Sequence, residues 1–186
     1  MIAVRRAVLD DVPAMLGFAN WAAEHTVANL ATAPEPLSEW SEAFASTEER
    51  YPWILATDAQ GKPLGFAKAG PHKARGAYAW SADVTVYVAP EAHGRGVGTR
   101  LYEVLVPTLR AQGYALLVAG ITLPNVASEK LHARFGFERC GTFHRVGFKN
   151  GKWHDVGYWE LAVRPGTLAP GPIVPAKTAL HAAGIG

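Results

Sequence analysis

The amino-acid sequence predicts an α/β (α+β) fold in which helices flank a mixed, mostly antiparallel sheet. Three observations predict it: strand-like runs alternate with helical patterns, turn signals join neighbouring strands, and one central run is almost continuously apolar. Hairpins produce antiparallel pairs, whereas crossover helices favour parallel neighbours, so we expect both kinds of pairing in one sheet.

The first elements are a strand and two helices. Residues 2–7 read as the strand, and Asp10 or Asp11 is placed to cap the first helix. The apolar residues of this helix recur at helical spacing: Val12, Leu16, Ala19 and Ala23. After a loop rich in proline and alanine, Ser38 is expected to cap a second helix over 39–49.

The middle of the chain reads as a hairpin, a longer strand and a helix. The runs 52–58 and 63–70 flank a turn, and the β-branched and aromatic residues of 78–89 indicate a third strand. The pattern over 99–112 is that of an amphipathic helix, which we expect Pro107 to kink or shorten.

The last elements follow the same alternation. Residues 114–122 read as a buried strand, 125–137 as a helix, and 138–163 as two strands around an Asn-Gly turn. Residues 1–164 are therefore predicted to form one domain. The remainder, 165–186, is rich in Pro, Gly and Ala and is expected to be extended or partly disordered.

Composition narrows the classes of function. With 186 residues and 49% hydrophobic content, the chain supports one well-buried core. A net charge of +2 without clustered Lys and Arg argues against a nucleic-acid partner. The single cysteine, Cys140, fits a reducing cytoplasm. Apolar stretches are too short for a signal peptide or a membrane span, so we expect a cytoplasmic protein without a membrane partner.

A glycine-rich loop, Gly94–Thr99, lies between a predicted strand and a predicted helix. The first N–H groups of a helix lack internal partners and attract anions, and Arg95 would add charge. A tight turn explains the local pattern equally well. The loop lacks the lysine of a P-loop, and it does not fit the dinucleotide-binding fingerprint.

The loop does fit the pattern Q/R-x-x-G-x-G/A, with His93, Gly96 and Gly98 in its defined slots. It thereby resembles the acyl-CoA pyrophosphate loop of the GNAT superfamily of N-acetyltransferases. The blocks "RYPWILA", "AGPHKARGAYAW", "ITLPN" and "GFKNGKWHDVGYWEL" are more specific. They resemble the phosphinothricin acetyltransferase family and its methionine sulfone and sulfoximine acetyltransferases, over residues 2–163.

The resemblance implies the GNAT fold, an N-acetyltransferase domain over 1–164, and acetyl-CoA as co-substrate. It places the general base at Asp83, where relatives usually carry Glu, and a proton donor to the thiolate at His132. Backbone N–H groups of Tyr87 and Val88 would face the thioester carbonyl. The residues implied to bind the co-substrate are Val86, Tyr87, Val88, His93, Gly94, Arg95, Gly96, Val97, Gly98, Thr99 and Asn125.

The implied substrate is a small-molecule amine: the α-amino group of a small amino acid or analogue of the phosphinothricin, methionine sulfone or sulfoximine type. Lys73, Arg75 and Tyr78 are candidates for binding it. Two departures from the family put phosphinothricin itself in question. The first loop reads "ANLAT" where relatives have "NFRT", and His72 replaces a usual Trp.

Other assignments stay open. The same fold could act on another amine, such as a peptide N-terminus, or serve as a non-catalytic acyl-CoA sensor. Trp153, His154 and Asp155 are assigned to the pocket or to a dimer contact, and the resemblance implies a homodimer. The sequence offers His154 and Asp155 no further ligands at suitable spacing, so we expect no metal. Arg50 is expected to lie near the site.

Overall fold

The computed structural model describes residues 1–164, 166 and 169–186, and in these residues seven strands form one sheet. The strands are β1 (Ala3–Arg6), β2 (Trp53–Thr57), β3 (Pro63–Pro71), β4 (Ser81–Val88), β5 (Leu116–Thr122), β6 (Glu138–Lys149) and β7 (Lys152–Ala162). Their order across the sheet is β1-β2-β3-β4-β5-β7-β6. The mixed, mostly antiparallel sheet of the predicted fold class is confirmed.

Helices cover both faces of the sheet. They are α1 (Val12–His25), α2 (Leu37–Thr47), α3 (Val97–Gln112), α4 (Val126–Arg134) and α5 (Ala176–Ala182). Alternate residues of β2 and β3 face opposite ways, so one set packs under α1 and α2 and the other under α3. Among the described helices, none combines the length and apolarity that crossing a membrane requires.

The strands β4 and β5 run parallel and remain paired only at their start. Their register joins Ser81 to Leu116 and ends at Asp83 and Val118, whereas β3 pairs with β4 as far as Val88. Meanwhile β5 stays paired with β7 along its length. The sheet therefore opens between β4 and β5 beyond Asp83, and we call this opening the β4–β5 gap.

Several predicted boundaries were wrong, each for a local reason. Helix α2 begins at Leu37 and Pro36 precedes it, so Ser38 lies inside the helix and does not cap it. Strand β4 starts at Ser81 because residues 76–78 form a 3-10 turn. Helix α3 starts at Val97 and continues through Pro107 to Gln112, so the expected early end does not occur.

The C-terminal segment was expected to be extended or partly disordered, and this expectation was wrong for residues 176–182. Helix α5 buries Ala176, Ala179 and Leu180, one alanine-rich face, against the α3 side of the core. Backbone bonds extend the attachment: Ala176 N–H donates to the Glu49 carbonyl at 2.8 Å. Residues 165, 167 and 168 lie outside the described residues, and the domain boundary at 164/165 stays a prediction.

Replacing Leu180 by alanine tests this attachment. Leu180 is 1% exposed, so Leu180→Ala leaves a cavity and should lower the free energy of unfolding by about 2 to 4 kcal/mol. Lys177→Ala, at an exposed position of the same helix, is the control and should change it by less than about 0.5 kcal/mol. Urea unfolding followed by tryptophan fluorescence measures both. Equal stabilities of the two variants would show that α5 does not pack as described.

Candidate functional site

The β4–β5 gap exposes backbone groups that a strand normally pairs. Ala89 donates its N–H to the Leu64 carbonyl on β3, and the Trp80 carbonyl accepts from β5. Because hydrogen-bonding direction alternates along a strand, the N–H groups of Val86 and Val88 point into the gap. The Tyr87 N–H faces β3 instead. This register argues against the predicted role of the Tyr87 N–H at a thioester carbonyl.

Asp83 stands where the gap begins, and a histidine holds it. The His72 Nδ1 atom lies 2.6 Å from Asp83 Oδ1, while the side chains are 22% and 50% exposed, respectively. The His72 ring also meets the Tyr78 ring edge-on, with centroids 5.9 Å apart. Sequence reasoning noted His72 only as a departure from the family. The hydrogen bond between His72 and Asp83 depends on the β3–β4 register. This register places Gly70 opposite Asp83, and His72 follows Gly70 by two residues.

Asp83 shares the α1–α2 face of the sheet with Thr85 and Tyr87, because alternate residues of a strand point the same way. A partly buried cation, Lys68, lies opposite Thr85 on this face. Its ammonium sits 4.0 Å from the Trp53 ring centroid and 4.9 Å from that of Trp40. Desolvation lowers the pKa of Lys68 to about 8. Sequence reasoning missed Lys68, although its position between apolar residues of a core strand was a signal.

The glycine loop forms the opposite end of the gap. Gly94 and Gly96 have φ angles of 74° and 81°, a left-handed conformation that favours glycine. The loop leads into the first N–H groups of α3. A pocket of about 520 Å³ adjoins it and is lined by Met1, Ile2, Arg95, Gly96, Thr99, Arg100 and Arg134. Three arginines thus line a pocket beside a helix N-terminus, an arrangement suited to a phosphate group.

Sequence reasoning missed Arg134, which comes from the last turn of α4. Gly98 brings the two helices together, since a Cβ there would lie 3.2 Å from a Leu131 methyl group. His93 takes a supporting position: its Nε2 donates to the Val88 carbonyl at 3.1 Å and fixes the loop to the end of β4. Arg100 forms an ion pair with Glu103, which holds its side chain along α3.

Asn125 is the N-cap of α4. Its Oδ1 accepts a hydrogen bond from the Ser128 N–H at 3.1 Å, as N-cap side chains do. Asn125 follows directly on β5, whose carboxyl end borders the gap. One lone pair of the side-chain carbonyl is thus used by the helix, and the amide Nδ2 is left to contact a ligand there.

His132 occupies an environment that differs from the predicted one. The ring is buried at 3% exposure; its Nδ1 donates to the Ser128 carbonyl at 2.8 Å and its Nε2 accepts from the Tyr102 hydroxyl at 2.9 Å. Burial lowers the pKa of His132, and the bond to Ser128 offsets this only in part. The ring is neutral with both nitrogens committed, so this geometry argues against the predicted role of His132 as proton donor to the thiolate.

The predicted substrate-binding residues are only partly brought together. Tyr78 contacts His72, whereas Lys73 and Arg75 are exposed on the same loop. Arg50 fixes this loop by donating to the Ala79 carbonyl at 2.7 Å. Tyr78 is therefore the one candidate in contact with His72 of the His72–Asp83 pair, and the roles of Lys73 and Arg75 stay predictions.

The segment "ANLAT", residues 28–32, is held by hydrogen bonds and packing against α1, β4 and β6. Asn29 donates to the Tyr87 hydroxyl at 3.0 Å, and the buried Lys149 ammonium donates to the carbonyls of Ala23 and Asn29 at 2.6 and 3.0 Å. Leu30 packs so tightly on Gly147 that a Cβ there would clash with it. A pocket of about 380 Å³ lies beside this segment, lined by Ala23, Glu24, Thr32, Ala33, Pro34, Phe148, Lys149 and Asn150.

The polar side chains of the β6–β7 hairpin form hydrogen bonds within the hairpin itself. His154 contacts the Lys149 carbonyl at 3.1 Å, and Asp155 accepts from His144 at 2.9 Å and from the Arg145 N–H at 2.8 Å. Trp153 packs on Phe148 at the exposed tip. Within the described residues, no three His, Cys, Asp or Glu side chains are grouped to hold a metal ion.

Comparison with known proteins identifies the family. Residues 16–137 match the Acetyltransferase (GNAT) family. The chain belongs to this family. The relationship extends over nearly the whole chain: it is 38% identical to a phosphinothricin N-acetyltransferase of Streptomyces viridochromogenes over 91% of this chain and 94% of that protein.

A second relative and a solved structure are similar to the chain over a comparable length. An L-methionine sulfoximine/L-methionine sulfone acetyltransferase of Pseudomonas aeruginosa is 35% identical, covering 90% of this chain and 98% of that protein. The crystal structure of a phosphinothricin acetyltransferase from Sinorhizobium meliloti in complex with acetyl-CoA superposes with a TM-score of 0.87. That structure is 30% identical and covers 91% of this chain and 93% of its own.

The burial of His132 makes a prediction about acid stability. Its pKa in the folded protein is below the ordinary 6.5, so the unfolded chain binds the proton first as pH falls. The His132 contribution to stability is thus present above pH 6.5 and is lost below it, by at most about 1.4 kcal/mol per pH unit. Urea titrations at pH 5 to 7.5 should show a flatter pH dependence for His132→Gln than for the parent chain.

The exposed His181 provides the control, since His181→Gln should keep the parent slope. If His132→Gln also kept that slope, the buried neutral histidine would be ruled out.

Proposed function

We propose that the chain is an acetyl-CoA-dependent N-acetyltransferase that acetylates the α-amino group of a small amino acid or amino-acid analogue by direct transfer. The observation that carries this proposal is the β4–β5 gap, with an anion site at one end and the His72–Asp83 pair at the other. The family and the named relatives support it, because their members are N-acetyltransferases.

The length of the gap indicates an extended co-substrate. From Asp83 to Val88 the strand advances five residues, about 16 Å at 3.3 Å per residue. An anion bound at the glycine loop is therefore far from Asp83, and only an elongated ligand reaches both ends. Acetyl-CoA has this form, with phosphate groups at one end and a thioester at the other.

The residues present fit acetyl-CoA. The α3 N-terminus, Arg95 and Arg134 would hold its phosphate groups, and the Val86 and Val88 backbone would pair with its amide-bearing arm as an added strand does. The Asn125 amide Nδ2 would contact the same arm. When bound, acetyl-CoA supplies an acetyl group activated as a thioester.

The chain must supply a base and a dipole for the transfer. A protonated amine has no free lone pair, so its proton has to be removed at the Asp83 end of the gap. A backbone N–H pointing into the gap, from Val86 or Val88, would stabilise negative charge on the carbonyl oxygen. His132 does not offer a second proton-transfer group in the gap, because both of its ring nitrogens are hydrogen-bonded inside the protein.

The substrate class follows from charge and from the altered first loop. Lys73 and Arg75 provide positive charge for a substrate carboxylate beside the His72–Asp83 pair. This favours an amino acid over a polyamine. Leu30 and Ala31 replace an aromatic residue and an arginine of the related loop, so we propose that methionine sulfone or sulfoximine analogues are accepted at least as well as phosphinothricin.

A thiol-release assay tests the function. Acetyl-CoA is offered with amino acids, methionine sulfone, methionine sulfoximine, phosphinothricin, a dipeptide and a polyamine, and initial rates are compared. We expect turnover with the amino-acid analogues. Asp83→Asn should lower kcat by about 10²-fold or more, the usual effect of losing a general base, with little change in KM for acetyl-CoA. Acetyl-CoA binding without turnover of any amine would favour a sensor.

We propose a homodimer built on the exposed edge of the sheet. Phe143, Val146, Phe148 and Trp153 on the β6–β7 hairpin are each more than half exposed, although all are large and apolar. Such a patch is typical of an interface, and β6 is an edge strand. Sedimentation velocity should show a dimer for the parent chain and a monomer for Phe143→Ser/Val146→Ser. A parent monomer at micromolar concentration would refute the proposal.

A cytoplasmic location also stays a proposal.

A further inference from the structure

We propose that His72 is the catalytic base and that Asp83 positions it. This inference rests on the proposed N-acetyltransferase function and names the atom that accepts the proton of the amine. It assigns to Asp83 the role of holding and orienting the imidazole, in place of acting alone on the substrate.

The hydrogen bond between the two residues fixes the reactive nitrogen. Asp83 is acceptor-only when ionised, so at 2.6 Å the His72 Nδ1 carries the proton and donates it to Oδ1. In this tautomer the second ring nitrogen, Nε2, is the lone-pair atom. No hydrogen-bond partner for Nε2 occurs among the described residues. A carboxylate on Nδ1 also fixes this tautomer and the orientation of the ring.

The position of the pair suits this role. Both residues lie at the closed end of the β4–β5 gap, on the α1–α2 face. Aspartate is one methylene shorter than glutamate, and here its carboxylate is hydrogen-bonded to His72, the residue that follows β3. The imidazole extends the reach of the carboxylate by the width of a ring. Its 22% exposure leaves it accessible to a small amine.

The surroundings leave His72 free to exchange a proton. The titratable groups seen in contact with it are Asp83 on β4 and the Tyr78 ring in the following turn, and Lys73 is its neighbour in the chain. Tyr78 meets the imidazole edge-on and restrains the ring plane without occupying Nε2. The pair is thus held from two sides, as a base must be to act at a fixed point.

The proton and electron pairs balance as follows. A proton passes from the substrate ammonium to His72 Nε2, and the freed amine lone pair forms the bond to the acetyl carbon. The C–S bond breaks and its electron pair leaves with the CoA thiolate. The second proton of the amine nitrogen passes through solvent to this thiolate, which gives the amide and the CoA thiol. The imidazolium releases its proton to solvent, so the pair is restored and no external oxidant or reductant is needed.

The competing assignment makes Asp83 the base and His72 only its hydrogen-bond donor. His72→Asn separates the two, because the asparagine amide can still donate to Asp83 but has no basic nitrogen. His72→Phe removes donor and base while keeping a ring against Tyr78. The matched control is His144→Asn. His144 makes a similar 2.9 Å contact to Asp155, but it lies on β6, which β5 and β7 separate from β4.

The assay measures kcat, KM for both substrates, and kcat/KM from pH 5.5 to 9.5. If His72 is the base, His72→Asn and His72→Phe lower kcat by about 10²-fold or more and displace the acidic limb of the pH profile. His72→Asn/Asp83→Asn is then no slower than the slower single variant, because both act through one imidazole. In the His72 variants, KM for acetyl-CoA and the melting temperature equal those of the parent chain. His144→Asn equals the parent chain in every measured quantity.

The opposite results overturn the proposal. If His72→Asn keeps kcat within threefold and retains the acidic limb while Asp83→Asn loses both, Asp83 is the base and His72 only supports it. If the losses of the two single variants multiply in the double variant, the residues do not act as a pair. Parent turnover in either case leaves the N-acetyltransferase function standing. An absence of parent turnover on every amine would overturn both proposals.

Discussion

The parting of β4 from β5 is the constraint on which the remaining features of the site depend. A parallel pair needs a crossover connection, and here α3 makes that connection after the glycine loop. Antiparallel neighbours hold each strand on its outer side, so the two can separate without unfolding the sheet. The gap leaves backbone groups that an elongated ligand can pair with. The parting of the strands thus makes the backbone dipoles of β4 available, between the glycine loop at one end and the His72–Asp83 pair at the other.

The two ends of the β4–β5 gap carry side chains of opposite charge. At the loop end, three arginines meet a helix N-terminus. At the closed end, the acidic Asp83 is paired with an imidazole instead of an arginine or lysine. A permanently protonated Arg or Lys has no lone pair that could accept a proton, whereas a neutral imidazole has one. The ammonium of Lys68, the lysine on this face, lies over the Trp40 and Trp53 rings instead.

Sequence patterns predicted the fold class, the order of strands and helices over 1–164, and the glycine loop, because these depend on local propensity and turn chemistry. They did not predict contacts that arise from register. The His72–Asp83 pair exists because β3 and β4 align Gly70 with Asp83, and Arg134 reaches the loop because α3 and α4 approach at Gly98. The C-terminal helix was missed since Pro and Gly dominate the segment before it, although its own residues favour a helix.

Two histidines show how environment decides function. His132 and His72 were both near residues implied in chemistry, and the family resemblance favoured the first. His132 is buried against Tyr102 and Phe137, with both ring nitrogens bonded and its pKa lowered by burial, so it serves to join α4 to α3. His72 is partly exposed, has one nitrogen bound to a carboxylate and one without a described partner. Proton transfer needs an accessible lone pair, and by that criterion the chemistry of the gap belongs to His72.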